Sequence, residues 1–358
     1  MKTILLTFVL ICLSCHLLYS QTDSYFIGAK THYGYIIPHS EELNKFSKKN
    51  PFGIQIEFST LKTSDEAWQT CTCYGRSGLS LAYFNYRDKR LGSSTNLMYF
   101  VEPYLAWKHK FKLSLRAAIG VSYLTQVYDS INNSENTFFS SPISFYLGVG
   151  LNGNYHLNKN YALNIGINYQ HISNGGIRKP NLGMNFPTLS LGIDRTIDFP
   201  TLEKKPKEFF EYDKKVKTYL LLNGSRATAK NENGKDINYP ILGLSTGLLK
   251  PLSKINGVNT GIEIHYNFAY RQELQNQDNK QSAFVGGLQI GHHFSLGKIY
   301  FLQQIGIYTF RPKAIQTKWL YQRYSLWYSI SQKWFVGFSL LSHGHIADYI
   351  DVSTGFIF

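Results

Sequence analysis

His171-Ile172-Ser173 holds an imidazole and a hydroxyl two residues apart, a spacing that sends both side chains to one face of an extended strand. A serine oxygen becomes a nucleophile when a neighbouring ring takes its proton, so the pair is the minimum apparatus of acyl transfer. Upstream, Tyr161, Leu163, Ile165, Ile167 and Tyr169 alternate with Asn164, Gly166, Asn168 and Gln170, and His171 and Ser173 continue the apolar row. In a water-soluble protein such a row is the core. In a membrane barrel it faces lipid.

Acyl transfer has two further needs. The tetrahedral oxyanion requires hydrogen-bond donors, and Asn174-Gly175-Gly176 follows the serine directly, while Asn181 can return from Pro180-Asn181-Leu182-Gly183. Asn174, Gly176 and Asn181 are therefore the candidate oxyanion residues. The imidazole also needs a group that holds its useful tautomer. Asn185 is the candidate, fourteen residues past His171 and in step with Pro187, Leu189, Leu191 and Ile193. Asp194 has the opposite parity, and Glu203 falls in a linker at the wrong end. The non-catalytic account, a polar strand end beside a glycine-rich loop, is outweighed by the asparagines, the glycines and the lipid-facing parity taken together.

The elements that must position these residues are strands. Leu113, Leu115, Ala117, Ile119, Val121 and Tyr123 alternate with Ser114, Arg116, Ala118, Gly120 and Ser122, and Phe145 to Leu151 behaves alike, at lengths suited to a tilted membrane strand. Short links near 109–110, 157–160, 296–298 and 331–333 alternate with long polar ones near 125–141, 172–185, 226–238 and 272–281. That is the alternation of periplasmic turns and outer loops. The stretch 61–77, which holds Cys71 and Cys73, departs from the pattern and reads as an inward-side insertion or a missed element.

About eight alternating segments precede Pro200 and about eight follow Lys217, separated by the charged run 203–208. The chain reads as a signal peptide (1–20), a site-bearing eight-strand half (21–199), a linker (200–217) and a second, degenerate half (218–358). Its closing Gly355-Phe356-Ile357-Phe358 resembles a barrel-assembly signal. Because there is one such signal, a single barrel of about sixteen strands is favoured slightly over two barrels of eight. The fold class is an all-β, antiparallel, transmembrane outer-membrane barrel.

Lys2 followed by an apolar run from Ile4 to Leu18 marks export; that run is too short for a confident membrane helix, and nothing later could serve as one. A lipoprotein cleavage at Cys15 fits poorly, since Cys12 and Leu13 do not match the usual preceding pattern. The mature chain keeps Cys71 and Cys73, an incidental structural pair rather than a metal site or a disulfide framework. The net charge of +14 is spread over loops and strand ends, which argues against nucleic acid and suits the phosphorylated lipid of an outer membrane. No cofactor or metal is expected. His292-His293 point to opposite faces, and Ser342-His343-Gly344-His345 lacks the histidine-x-serine order.

His171-x-Ser173-Asn174-x-Gly176, Pro180-Asn181-x-Gly183 and an exported eight-strand unit resemble the lipid A 3-O-deacylases, the PagL family, over about residues 25–199. The resemblance implies a small outer-membrane barrel with a serine, histidine and glutamate triad outside it, cleaving the 3-hydroxyacyl ester of lipid A in lipopolysaccharide. Carried over by position, Ser173 is the nucleophile, His171 the base, and Asn174, Gly176 and Asn181 surround the oxyanion. The glutamate does not carry over: this sequence has Asn185. An amide orients a histidine but brings no charge to the imidazolium. The expected function is thus a serine esterase acting on lipid A among the lipids of a Gram-negative outer membrane; the alternative is a non-enzymatic barrel, channel or structural, that keeps a relic site. Oligomeric state and acyl position are not legible.

Overall fold

In a computed structural model, which describes residues 23–108, 110–197, 202, 212–344 and 346–358, each half of the chain closes on itself. The first barrel contains β1 (Asp23–Gly34), β2 (Phe52–Lys62), β3 (Gly75–Asn85), β4 (Ser93–Lys108), β5 (Phe111–Leu124), β6 (Ile143–His156), β7 (Tyr161–Ser173) and β8 (Met184–Ile197). The second contains β9 (Lys217–Lys230), β10 (Asp236–Pro251), β11 (Asn256–Asn267), β12 (Phe284–Leu296), β13 (Ile299–Phe310), β14 (Leu320–Ser329), β15 (Trp334–His343) and β16 (Ile346–Ile357). Each strand pairs antiparallel with its sequence neighbours. Closure comes from β1 against β8, between Tyr25↔Ile197 and Gly34↔Thr188, and from β16 against β9.

This overturns the preference for one sixteen-strand barrel: the edge of β8 is taken by β1, so no edge remains for β9. A closed eight-strand barrel is just wide enough to be filled by its own side chains. In the first barrel Lys30, Arg76 and Arg116 meet Glu57, Glu102 and Asp194, with Arg116 Nη2 2.8 Å from Glu57 Oε2 and Arg76 Nη2 3.2 Å from Glu102 Oε1. In this cluster three cations face three carboxylates, while a further buried cation, Lys112, lies 3.0 Å from His156 Nε2. In the second, Arg323 pairs with Glu263 at 2.9 Å and with Asp351.

The outward rows carry the alternation to solvent. Ile165, Ile167, Leu189 and Leu191 are each at least 58% exposed, whereas the intervening Gly166 and Ser190 are turned inward. Such a belt is stable only against lipid. The apolar core proper lies at the outer mouth of the first barrel, where loop residues Leu43, Phe46, Phe138 and Phe139 pack on Phe84, Ile172, Met184 and Phe186.

Connections follow the expected alternation with three refinements. The departure at 61–77 is α1 (Asp65–Cys71), begun by Ser64, whose side chain accepts from the Ala67 N–H; Cys71 and Cys73 are bonded to each other just after it. The loop expected at 226–238 shrinks to 231–235 because β9 and β10 run further, and the 268–283 connection contains α2 (Phe268–Asn276). Residues 1–20 and the charged run 203–208, with Glu203, lie outside the described residues. No described helix is long and apolar enough to cross a membrane.

Candidate active site

Ile172 sets the site. Its side chain is fully buried among the apolar residues of the outer mouth, which sends His171 and Ser173 together to the outward face. A one-residue slip would turn both inward, so the core fixes the parity of the pair. Across the sheet, Asn185 of β8 stands opposite His171, while Phe145 and Leu147 of β6 stand opposite Ser173 and His171.

Contacts along this row form a relay. His171 Nε2 lies 3.0 Å from Ser173 Oγ, and its Nδ1 lies 2.7 Å from Asn185 Oδ1. With Oδ1 accepting from Nδ1–H, Nε2 is left with its lone pair toward the serine hydroxyl, as a general base requires. A backbone bond from the Ile37 N–H to the Asn185 carbonyl, 2.9 Å, steadies β8 at this height.

The expectation that the pair lies open on the lipid face needs correction. His171 and Ser173 do occupy the outward row, yet Ser173 is only 7% exposed because the 174–183 loop folds back over them. Gly183 makes that approach possible. A Cβ there would sit 2.8 Å from His171 Cε1 and 3.1 Å from Ser173 Cβ, and its φ of +70° also favours glycine. The cover is held by Leu182 and Gly183 N–H groups donating to the Thr137 and Phe138 carbonyls, and His39 Nε2 reaches the Leu182 carbonyl at 2.9 Å.

The three expected oxyanion residues are linked to one another through Asn174, which follows Ser173 in the chain, but differ in what they can offer. Asn174 Nδ2 is committed to Ser140 Oγ (3.0 Å) and the Arg178 carbonyl (2.8 Å), and the Gly176 N–H donates to Asn174 Oδ1 at 3.0 Å. Both therefore shape the loop and have no donor to spare. Asn181 is different: its Oδ1 accepts the Asn174 N–H at 3.1 Å, while its Nδ2 is buried and unpartnered among the described residues. A buried donor left unused costs stability, on the order of 1–3 kcal/mol, and Asn181 is one of several side chains in this condition among the described residues.

Sequence reasoning missed His39, Ser140 and the 137–138 clamp. They lie far from His171 in the chain, and only barrel closure and loop packing bring them in. Asp194 is inside the barrel on Arg76, so its exclusion from the site agrees with the geometry. In β15, His343 points inward and bonds the Tyr308 hydroxyl at 3.0 Å, and Ser342 Oγ is 3.4 Å from Gln322 Oε1. No serine–histidine pair forms there; His345 lies outside the described residues. No group of three metal-binding side chains occurs among the described residues, His292 and His293 included.

Comparison with known proteins extends to both barrels. A family model described as lipid A 3-O-deacylase (PagL) matches residues 17–194, and one described as acyloxyacyl hydrolase, C-terminal domain, matches residues 215–358. No curated protein matches the chain in sequence. Among solved structures, the outer membrane enzyme PagL is similar at 17% identity over 46% of this chain and 97% of that one, with a TM-score of 0.35. Neisserial surface protein A is similar at 13% identity over 48% and 96%, with a TM-score of 0.33, and the β domain of the Bordetella autotransporter BrkA at 8% over 94% and 99%, with a TM-score of 0.27. The two family models, not these distant likenesses, decide the assignment: this outer-membrane β-barrel chain belongs to the lipid A 3-O-deacylase (PagL) family, a family of carboxylic ester hydrolases.

Proposed function

We propose that the protein is a serine esterase that removes an ester-linked acyl chain, the one at position 3, from lipid A in the outer leaflet. The observation that carries the reading is the relay Asn185–His171–Ser173, with spacings of 2.7 and 3.0 Å, beside the unpartnered Nδ2 of Asn181. Ser173 Oγ gives its proton to His171 Nε2 and bonds to the acyl carbon. The carbonyl oxygen becomes an oxyanion beside Asn181 Nδ2. Collapse breaks the bond to the sugar oxygen, which leaves with the proton from His171. Water, deprotonated by the same imidazole, then attacks the acyl-enzyme and releases the fatty acid.

The placement suits a substrate that stays in the membrane. Ser173 ends an outward row, and its cross-strand neighbours Phe145 and Leu147 present 38% and 41% of their surface outward, so acyl chains can lie along the wall below the nucleophile. Above it, the 35–51 and 86–92 loops carry Lys48, Arg87 and Lys89, cations suited to phosphate groups of the lipid headgroup, beside Lys45, Lys49 and Arg90, which pair with Asp88 and Glu135. A channel is not favoured, because charged networks fill both barrels.

Mass spectrometry of lipid A in liposomes exposed to the folded protein and to Ser173→Ala tests the reading. Loss of one hydroxyacyl mass with the natural chain and none with the variant is expected. Unchanged lipid A with both refutes it.

A further inference from the structure

The acyl-transfer reading leaves the second barrel without a task, yet that barrel touches the loop beside Ser173. Gly175 and Gly176 have φ of +65° and +83°, and both are closed against β16. A Cβ on Gly175 would lie 2.2 Å from Cδ1 of Ile350, and one on Gly176 would lie 2.1 Å from the Asp348 carbonyl oxygen. The contact continues one residue further, where Thr228 Oγ1 at the outer end of β9 donates to the Ile177 carbonyl at 3.3 Å. Lys179 lies within electrostatic reach of Asp348 and of Glu273 on α2.

On β16 the contact is local. Ile350 is partly covered, whereas Val352, two residues on in the same outward row, is 68% exposed. At this edge the walls do not pack along their length; β16 meets the loop at its outer end. The loop has ties of its own: the Asn174 side chain fixes its base, and the Ile177 N–H donates to the Asn174 carbonyl at 3.4 Å across the turn, so the contacts with Ile350 and Asp348 add an outer support to a turn already bonded on its inner side.

We infer that the second barrel is a working part of the site on the first: Ile350 and the Asp348 backbone form a buttress that holds the Asn174–Gly176 loop, and through Asn174 the Asn181 amide, in place beside Ser173. Ile350 is thus a positioning residue, acting through the loop. The inference rests on the esterase reading for its catalytic consequence and on the packing alone for its mechanical one. Glycine is required twice at 175 and 176, by φ and by the closeness of β16. Misplacing catalytic groups by an ångström costs up to about a hundredfold in rate, so a modest gap at Ile350 is enough to register.

The test compares Ile350→Ala, Ile350→Leu and, as a control on the same row, Val352→Ala, each in the full-length chain shown to be folded by heat-modifiable gel mobility. With lipid A in mixed vesicles, Ile350→Ala is expected to lower kcat about tenfold with KM nearly unchanged, and Ile350→Leu, which keeps a δ-methyl, to recover most of it. Amide exchange at 174–177 is expected to quicken in Ile350→Ala and not in Val352→Ala. Natural turnover in Ile350→Ala overturns the inference, as do unchanged exchange or equal losses in the Val352 control. If Ile350→Ala does not fold, Ile350→Val, lacking only Cδ1, takes its place. A natural chain that releases no fatty acid defeats the esterase reading; loop exchange then decides the mechanical claim by itself, quickening supporting the buttress and no change refuting it.

Discussion

Replacing Asn185 gives the sharpest test of the relay, because aspartate keeps its size and adds a charge whereas alanine removes the hydrogen bond altogether. The amide Oδ1 sits 2.7 Å from His171 Nδ1, where it fixes the ring and its tautomer but meets the imidazolium of the transition state with a dipole only. Asn185→Asp puts a full charge at that place. At a charge separation of roughly 4 Å and an effective dielectric constant of about 20, the attraction is about 4 kcal/mol. Much of it is offset, because the carboxylate loses water under the Gly183 cover, at a cost of several kcal/mol for a fully buried ion. A surplus of about 1.4 kcal/mol would be a tenfold faster acylation. Asn185→Ala removes both the bond and the tautomer control; a hydrogen bond to a charged partner is worth about 1.5–3 kcal/mol, so a loss of roughly ten- to a hundredfold is expected. The assay is single-turnover release of fatty acid from lipid A vesicles. The predicted order is Asp above Asn above Ala. An alanine variant as fast as the natural chain would refute the relay, and an aspartate variant slower than asparagine would refute the charge argument.

Two further outcomes follow from the loops. Asn181→Asp keeps an acceptor for the Asn174 N–H but loses the free Nδ2 donor, and losing one oxyanion donor typically costs about 10²–10³ in kcat; steady-state kinetics showing kcat unchanged would remove Asn181 from the chemistry. Asp88, in the 86–92 loop, has its carboxyl lowered from the usual 3.8 to about 2, chiefly by the side-chain bond from Arg90, which also pairs with Glu135 of the 125–142 loop. A pKa lowered by folding gives stability that is present above the ordinary value of 3.8 and is lost as pH falls through about 2. Protection factors in these two loops, that is exchange rates corrected for the intrinsic pH dependence of free amides, are therefore expected to match at pH 7 and 5 and to fall by pH 2, and equal protection at pH 5 and 2 would show that the tie does not hold them.

Much of this was legible beforehand for a physical reason: period-two alternation is a strong local pattern, and membrane strands display it without the interruptions of a soluble core. The pairing of His171, Ser173 and Asn185 could be read because parity along β7 and register across one hairpin involve only short stretches of chain. What escaped the sequence was non-local. Whether β8 pairs with β1 or β9 depends on competition between edges, which no single strand records, and the charges that pair inside the first barrel come from Lys30, Glu57, Arg76, Glu102, Arg116 and Asp194 on six different strands. The Asn174 and Gly176 donors looked free because their partners, Ser140 and Asn174 itself, become visible only once the loop has folded back.

That fold-back reconciles two demands that conflict on a lipid-facing wall. A nucleophile reached from the bilayer must lie on the outward row, but an imidazole and a serine set bare against hydrocarbon would lose the hydrogen bonds that make them useful. Ile172 keeps the pair outward by anchoring inward; Asn185 of β8 bonds the imidazole across the sheet, Asn181 ties the loop to the Asn174 N–H, and Gly183, having no Cβ, lets the loop approach His171 and Ser173 closely. A loop that must reverse direction twice in ten residues depends on left-handed positions, and glycine at 175, 176 and 183 provides them. Glycine also leaves the loop little stiffness of its own, which is why an external wall is useful. On this account the second barrel supplies rigidity to a site whose own composition was chosen for close approach.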